Sequence, residues 1–133
     1  MKSACRAAKR VLDRLVEGLD APGASKKSDN APGVYMALSV ENIGRCKLGP
    51  VYSFAHYFEQ HGDLVPDPDV TVLRAENGDW YPLSFQNAIA YRQSAEIDAD
   101  GSIRVDRSSQ ADLKHFVDVF AHNIKAQQRL DVP

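Results

Sequence analysis

Apolar positions in the first twenty residues recur at spacings of three and four. Cys5, Ala8, Leu12, Leu15 and Leu19 form one stripe, widened by Val11 and Val16. This predicts an amphipathic helix over residues 2–20. The periodicity stops at residues 21–33, where two Pro-Gly pairs bracket a polar stretch. That composition predicts a linker between the first helix and a body of residues 34–133. It leaves the helix free to dock on its own body or to swap onto a partner.

From residue 34 the pattern becomes alternation. Met36, Leu38 and Val40 against Tyr35, Ala37 and Ser39 predict a strand over 34–43, with a turn from Gly44 to Pro50. Val51, Phe54, Ala55 and Phe58 return to helical spacing. They predict a short helix over 51–61 that stops at Gly62. Pro66 and Pro68 exclude a helix over 63–69. Strands are expected over 70–75 and 80–86, joined by a hairpin at Asn77-Gly78. Pro82 puts the second of these at an edge or on a bulge. A third strand over 88–97, a turn at Asp98 to Gly101 and a short strand over 102–106 follow.

The last helix is expected over 109–130. Leu113, Phe116, Val117, Phe120 and Ile124 share one face, and Ser109 is its expected N-cap. The predicted order is α-β-α-β-β-β-β-α. The fold class is α+β in a single domain, with an antiparallel sheet and the C-terminal helix packed across it.

Length and composition narrow this further. A chain of 133 residues that is 44% apolar suits one folded domain rather than a disordered segment. No apolar run approaches the roughly 20 residues a spanning helix needs, so no membrane partner is expected. The first residues are basic but lead into no apolar stretch of a secretory signal. Two cysteines, Cys5 and Cys46, make no disulfide framework. The expected location is the cytoplasm, with both thiols reduced.

Charge changes the picture most. The formal net charge is only −2. Residues 1–49 nevertheless carry nine basic and five acidic residues, a local charge of +4, and residues 50–133 carry seven and thirteen, a local charge of −6. Lys2, Arg6, Arg10 and Arg14 recur every fourth residue and form a ridge on a helix, with Lys9 beside it and Lys26 and Lys27 in the linker. Such an end attracts polyanions, or the acidic remainder of the same or a second molecule.

The candidate chemistry is sparse. His56, His61, Asp63, Asp67 and Asp69 are metal-ligand types, but a spacing of five does not converge two histidines on a helix. No metal is expected there. Asp98-Ala99-Asp100-Gly101-Ser102 resembles the start of a calcium loop, yet its twelfth position is Ser109 rather than Glu, and a hairpin turn accounts for it. His115 and His122 are expected on the solvent side of the last helix, and Cys46 between Arg45 and Lys47 has no histidine placed beside it. No phosphate loop, nucleophile elbow or cofactor motif is present. Trp80, Tyr81, Phe85 and Tyr91 read as core of the sheet or as an aromatic platform.

The stretch from Val34 through Leu130 resembles a small uncharacterised bacterial domain found largely on plasmids and integrative elements. The resemblance rests on Val40-Glu41, on the run from Ala55 to Asp63, on Asp67-Pro68 and on the aromatic final helix. It implies a bacterial, mobile-element setting and no established activity. It makes His56, Tyr57, Gly62 and Asp63 candidates for a common site, or else for packing and helix-stop residues.

Together these readings lead to a non-enzymatic, homodimeric accessory protein. It binds nucleic acid through Lys2, Arg6, Lys9, Arg10, Arg14, Lys26 and Lys27. The alternatives are a protein-interaction module, an inhibitor or adaptor, whose acidic face from Glu59 to Asp100 engages a basic partner, and a metal-dependent enzyme at His56, His61 and Asp63.

Overall fold

Alternation, not helical spacing, governs the chain from residue 38 to residue 86. In the computed structural model, which describes residues 2–29, 36–87 and 90–132 and, within these, all side chains except those of 58–60 and 64–67, this region is a run of antiparallel strands. The strands are β1 (Ser25–Ser28), β2 (Leu38–Cys46), β3 (Gly49–Gln60), β4 (Asp63–Arg74), β5 (Trp80–Gln86) and β6 (Tyr91–Gln93). They form a six-stranded sheet in sequential order. A hairpin of β7 (Ala95–Ile97) and β8 (Ile103–Val105) forms a separate two-stranded sheet. The helices are α1 (Arg6–Leu15) and α2 (Arg107–Gln127). The fold is a single α+β domain with the C-terminal helix packed against the sheet, as the sequence predicts.

The expected helix over 51–61 is instead strand β3. The spacing of Val51, Phe54, Ala55 and Phe58 misleads because β3 is buried on both faces. Tyr52, Phe54 and His56 are buried toward the helices, while Val51 and Ala55 are buried on the opposite side. Buried residues in both alternating sets blur the alternation that marks a strand. Gly62 is accordingly not a helix stop. His61 and Gly62 form a two-residue turn between the paired Gln60 and Asp63, and both have positive φ (52° and 86°). A tight primed turn requires that geometry at both positions. The two prolines at 66 and 68 fall within β4. Among the described residues this part of β4 pairs only with β3, because β5 begins its pairing at Asp69. Its outer edge asks for no backbone donor, so proline is tolerated. Pro82 lies in β5, which pairs on both sides, and the register shift beside it leaves Leu83 as the extra residue. Within the Pro/Gly stretch 21–33, Ser25–Ser28 forms β1 on β2, and residues 30–33 lie outside the described residues. Residues 34, 35, 88 and 89 of the expected strands are likewise outside them.

The sheet has two unlike faces. On one, α1 contributes Ala8, Val11, Leu12 and Leu15 and α2 contributes Val117, Phe120, Ala121 and Ile124, packed on Leu38, Val40, Tyr52, Phe54, Val70, Val72 and Trp80. On the other, β7 and β8 cover only one end, over Cys46, Val51, Leu73 and Leu83. The backbone N–H of Lys47 donates to the carbonyl of Gly101 at 3.0 Å and fixes the tip of that hairpin, which is the expected turn at Asp98–Gly101.

α1 is locked by polar contacts as well. Asp13 accepts from the Trp80 indole at 2.9 Å and takes Arg74 at 3.1 Å and Lys9 at 2.8 Å. Beyond the helix, buried Asn42 donates to the Leu19 carbonyl at 3.0 Å, and the Tyr52 hydroxyl donates to the same oxygen at 3.1 Å. The N-cap of α2 is Asp106, not Ser109. Its carboxylate accepts from the N–H groups of Ser108 and Ser109 and from both hydroxyls.

Candidate nucleic-acid interface

Whether the basic ridge is spent on holding the fold decides whether it is free to bind anything. Burial of a Val or Leu side chain contributes about 1.5–3 kcal/mol, against about 0.3–0.5 kcal/mol for an exposed i, i+4 ion pair. The docking of α1 is therefore decided by its apolar stripe. At 100° per residue, Arg6, Arg10 and Arg14 lie across the helix from Ala8, Val11, Leu12 and Leu15. All three arginines are exposed.

The seven basic residues divide by what they touch. Lys9 is committed to Asp13 and belongs to the lock on Trp80. Arg14 pairs with Glu17 at 2.9 Å, a contact half-open to solvent. Lys26 donates to the Glu17 carbonyl at 3.0 Å. Lys2 precedes the helix, its backbone N–H donating to Gln110 at 2.9 Å and its side chain exposed. The side chains of Lys2, Arg6, Arg10 and Lys27 make no ion pair with the described residues. Arg14, Lys26 and Lys27 come together with Leu15, Ser28 and Leu130 around a recess of about 160 Å³ between the end of α1 and the edge strand β1. The structure thus places three of the seven at one recess and two more, Arg6 and Arg10, along the exposed side of the same helix.

The motif residues do not converge. His56 and Tyr57 are successive positions of a strand and point to opposite faces. His56 is buried edge-on to Phe120, with 6.0 Å between ring centroids, in a recess of about 230 Å³ that also touches Pro68, Phe116 and Val119. Tyr57 is exposed on the outer face. Gly62 is in the hairpin turn, and Asp63 pairs with Gln60 across it. Of the metal-ligand types, His61 and Asp63 sit at that hairpin end and Asp69 lies on the outer face, where it accepts from the Ser53 hydroxyl at 2.6 Å. Among the described residues no three His, Cys, Asp or Glu side chains are grouped to hold a metal ion.

Trp80 is fully buried, and Phe85 stacks edge-on to Phe116 at 4.5 Å, so of the four aromatic residues only Tyr91 is strongly exposed. Sequence reasoning also missed a hollow on the outer face between Glu41, Tyr57 and Asp69. Although the Tyr57 side chain is largely open, partial burial at the hollow raises its hydroxyl above the usual tyrosine range, and the charges of Asp69 and Glu41 raise it further. The signal for the hollow was the run of small residues, Ser39, Ser53 and Ala55, alternating with the core positions.

A family model for a domain of unknown function, DUF6908, matches residues 7–130. The chain belongs to this family. The DUF6908 match begins inside α1, so the helix and its ridge are part of the domain, and only Lys2 and Arg6 of the seven basic residues precede it. No curated protein matches the chain. No solved structure matches it either. No helix among the described residues is long and apolar enough to cross a membrane.

Proposed function

We propose that this DUF6908 protein is a non-enzymatic, cytoplasmic accessory protein of a bacterial mobile element that binds nucleic acid through phosphate contacts. The observation that carries the reading is the division of α1. Its apolar side is consumed by the sheet, while Arg6 and Arg10 face solvent with no ion pair among the described residues and Arg14 joins Lys26 and Lys27 at one recess. Contacts of this kind fix a polyanion in place and read no base, so binding shows little sequence preference. The mobile-element setting rests on the resemblance of residues 34–130. The cytoplasmic setting rests on two free thiols, one exposed and one buried. The divergence of His56 and Tyr57 onto opposite faces supports a binding role over catalysis.

A homodimer is part of the proposal, with a changed motive. The apolar stripe of α1 is buried in its own chain and offers nothing to a second copy. The sheet edges remain: among the described residues β1 and β6 each pair on one side only. Light scattering at tens of micromolar (about the working range of such measurements) checks this half, and a monomer mass removes it.

The experiment for the binding itself is a gel-shift titration with a short duplex of arbitrary sequence. Four free cations imply a loss of about a hundredfold in affinity between roughly 50 and 200 mM salt. Arg6→Ala/Arg10→Ala/Arg14→Ala is expected to abolish the shift. Undiminished binding by that variant contradicts the proposal.

A further inference from the structure

The two helices lie side by side and run in the same direction. Near their starts the backbone N–H of Cys5 donates to Asp118 at 2.8 Å. Further along, Ala7, Ala8 and Val11 of α1 share a small recess with Asp118, His122 and Lys125 of α2. At the far end Arg14 and Leu15 meet Leu130. The last turn of α2 is therefore level with the last turn of α1. It carries Lys125 and Arg129 to the end of the molecule where Arg14, Lys26 and Lys27 gather.

These two cations are not spent within the chain. The two acids of α2 are both engaged, Asp118 by Lys114 at 2.6 Å and Asp112 by Arg92 at 3.2 Å. Lys125 and Arg129 make no ion pair among the described residues. Arg129 is exposed, and its backbone is unusual. The N–H of Leu130 returns to the Lys125 carbonyl at 3.0 Å, and that of Arg129 to the Ala126 carbonyl at 3.4 Å. This closure of α2 puts Arg129 in the left-handed region, with φ 53°. Glycine is the usual residue at such a position, because a β-carbon is crowded there. The turn after α1 uses Gly18, φ 82°. A long cation kept where glycine fits better is strain retained at an exposed, charged site, which points to a role outside the fold.

We propose that the phosphate-binding surface continues from α1 onto the last turn of α2, where Lys125 and Arg129 each contact a backbone phosphate of the nucleic acid. The assignment rests on the phosphate-binding reading of α1. It widens that surface from one helix to two and adds residues from the part of the chain whose overall charge is negative. The structural alternative is that both cations serve the C-terminal end of the α2 dipole. The two roles differ in sign. A cation that serves the helix stabilises the fold, whereas Arg129 in its left-handed position costs stability that glycine restores.

The test is the slope of log affinity against log salt for a short duplex of arbitrary sequence, read beside urea unfolding. Lys125→Ala and Arg129→Gly are each expected to flatten the slope by about 0.9, the loss of one phosphate contact. Arg129→Gly is expected at the same time to raise the urea midpoint. An unchanged slope for either variant, with Arg6→Ala/Arg10→Ala flattening it, overturns this assignment alone. A lowered midpoint with an unchanged slope for Arg129→Gly assigns the residue to the helix end and also overturns it. Absence of binding by the wild-type chain at low salt overturns it together with the reading on which it rests.

Discussion

The two faces of the six-stranded sheet carry different burdens. The helix face is closed by α1 and α2 over Trp80, Tyr52 and Phe54, whose rings lie 5.5–6.5 Å apart. Polar contacts there converge on Asp13 and tie the helix to the sheet. The outer face is closed only where β7 and β8 fold back, and over the rest it presents serines, threonine and two acids, Glu41 and Asp69, that form no ion pair among the described residues. Stability is concentrated on one side. Groups free to meet another molecule lie on the outer side of α1, at the β1 edge and in the hollow.

The sharpest way to break this comparison is to empty the closed face. Trp80→Ala removes a fully buried ring and is expected to cost about 3–5 kcal/mol in urea unfolding. A loss below about 1 kcal/mol shows that the helix face is not the stabilising one. Next comes its polar lock. Asp13→Ala leaves the Trp80 indole N–H without its acceptor and frees Arg74 and Lys9, and is expected to cost about 1–3 kcal/mol. Asp13→Asn keeps an acceptor and is expected to cost less.

Acid tests the end of α2. Hydrogen bonds from Ser108 and Ser109 hold the Asp106 carboxyl below the ordinary aspartate range. Its contribution is therefore present above the unfolded-chain value and is lost as pH falls through the lowered folded value. Unfolding midpoints measured down an acid series should fall faster for wild type than for Asp106→Ser, and parallel curves contradict this. The smallest effect belongs to the open face. Ser39→Val and Thr71→Val are expected to change stability by no more than about 0.5 kcal/mol. A cost equal to that of Asp13→Ala means the outer face is structural after all.

Both helices were legible because each is amphipathic and buries one stripe, a pattern that survives without knowledge of the partner. Their ends were not. Asp106 stands three residues ahead of the expected cap, and both it and Ser109 are good capping types. Strand β3 was illegible for the opposite reason, since Val51 under the β7–β8 hairpin and the small, buried Ala55 interrupt its alternation. A β-rich reading of Val51, Tyr52, Phe54 and Tyr57 was the better guide. Strand β1 is held by pairing with β2 and carries no apolar signal in Ser-Lys-Lys-Ser. The basic ridge was legible as spacing, while the commitment of Lys9 to Asp13, and of Asp13 to Trp80 67 residues away, was not. The motif His56-Tyr57 looked like one site in the sequence. Adjacent residues on a strand diverge, and only the strand assignment reveals that.

The central claim is that the outward side of α1 meets phosphates. Its most direct test is the slope of log affinity against log salt for duplex DNA, measured for wild type and for Arg6→Ala/Arg10→Ala. Removing two phosphate contacts is expected to flatten the slope by about 1.8, with both proteins equally stable to unfolding. An unchanged slope, or no binding by the wild-type chain at low salt, contradicts the account.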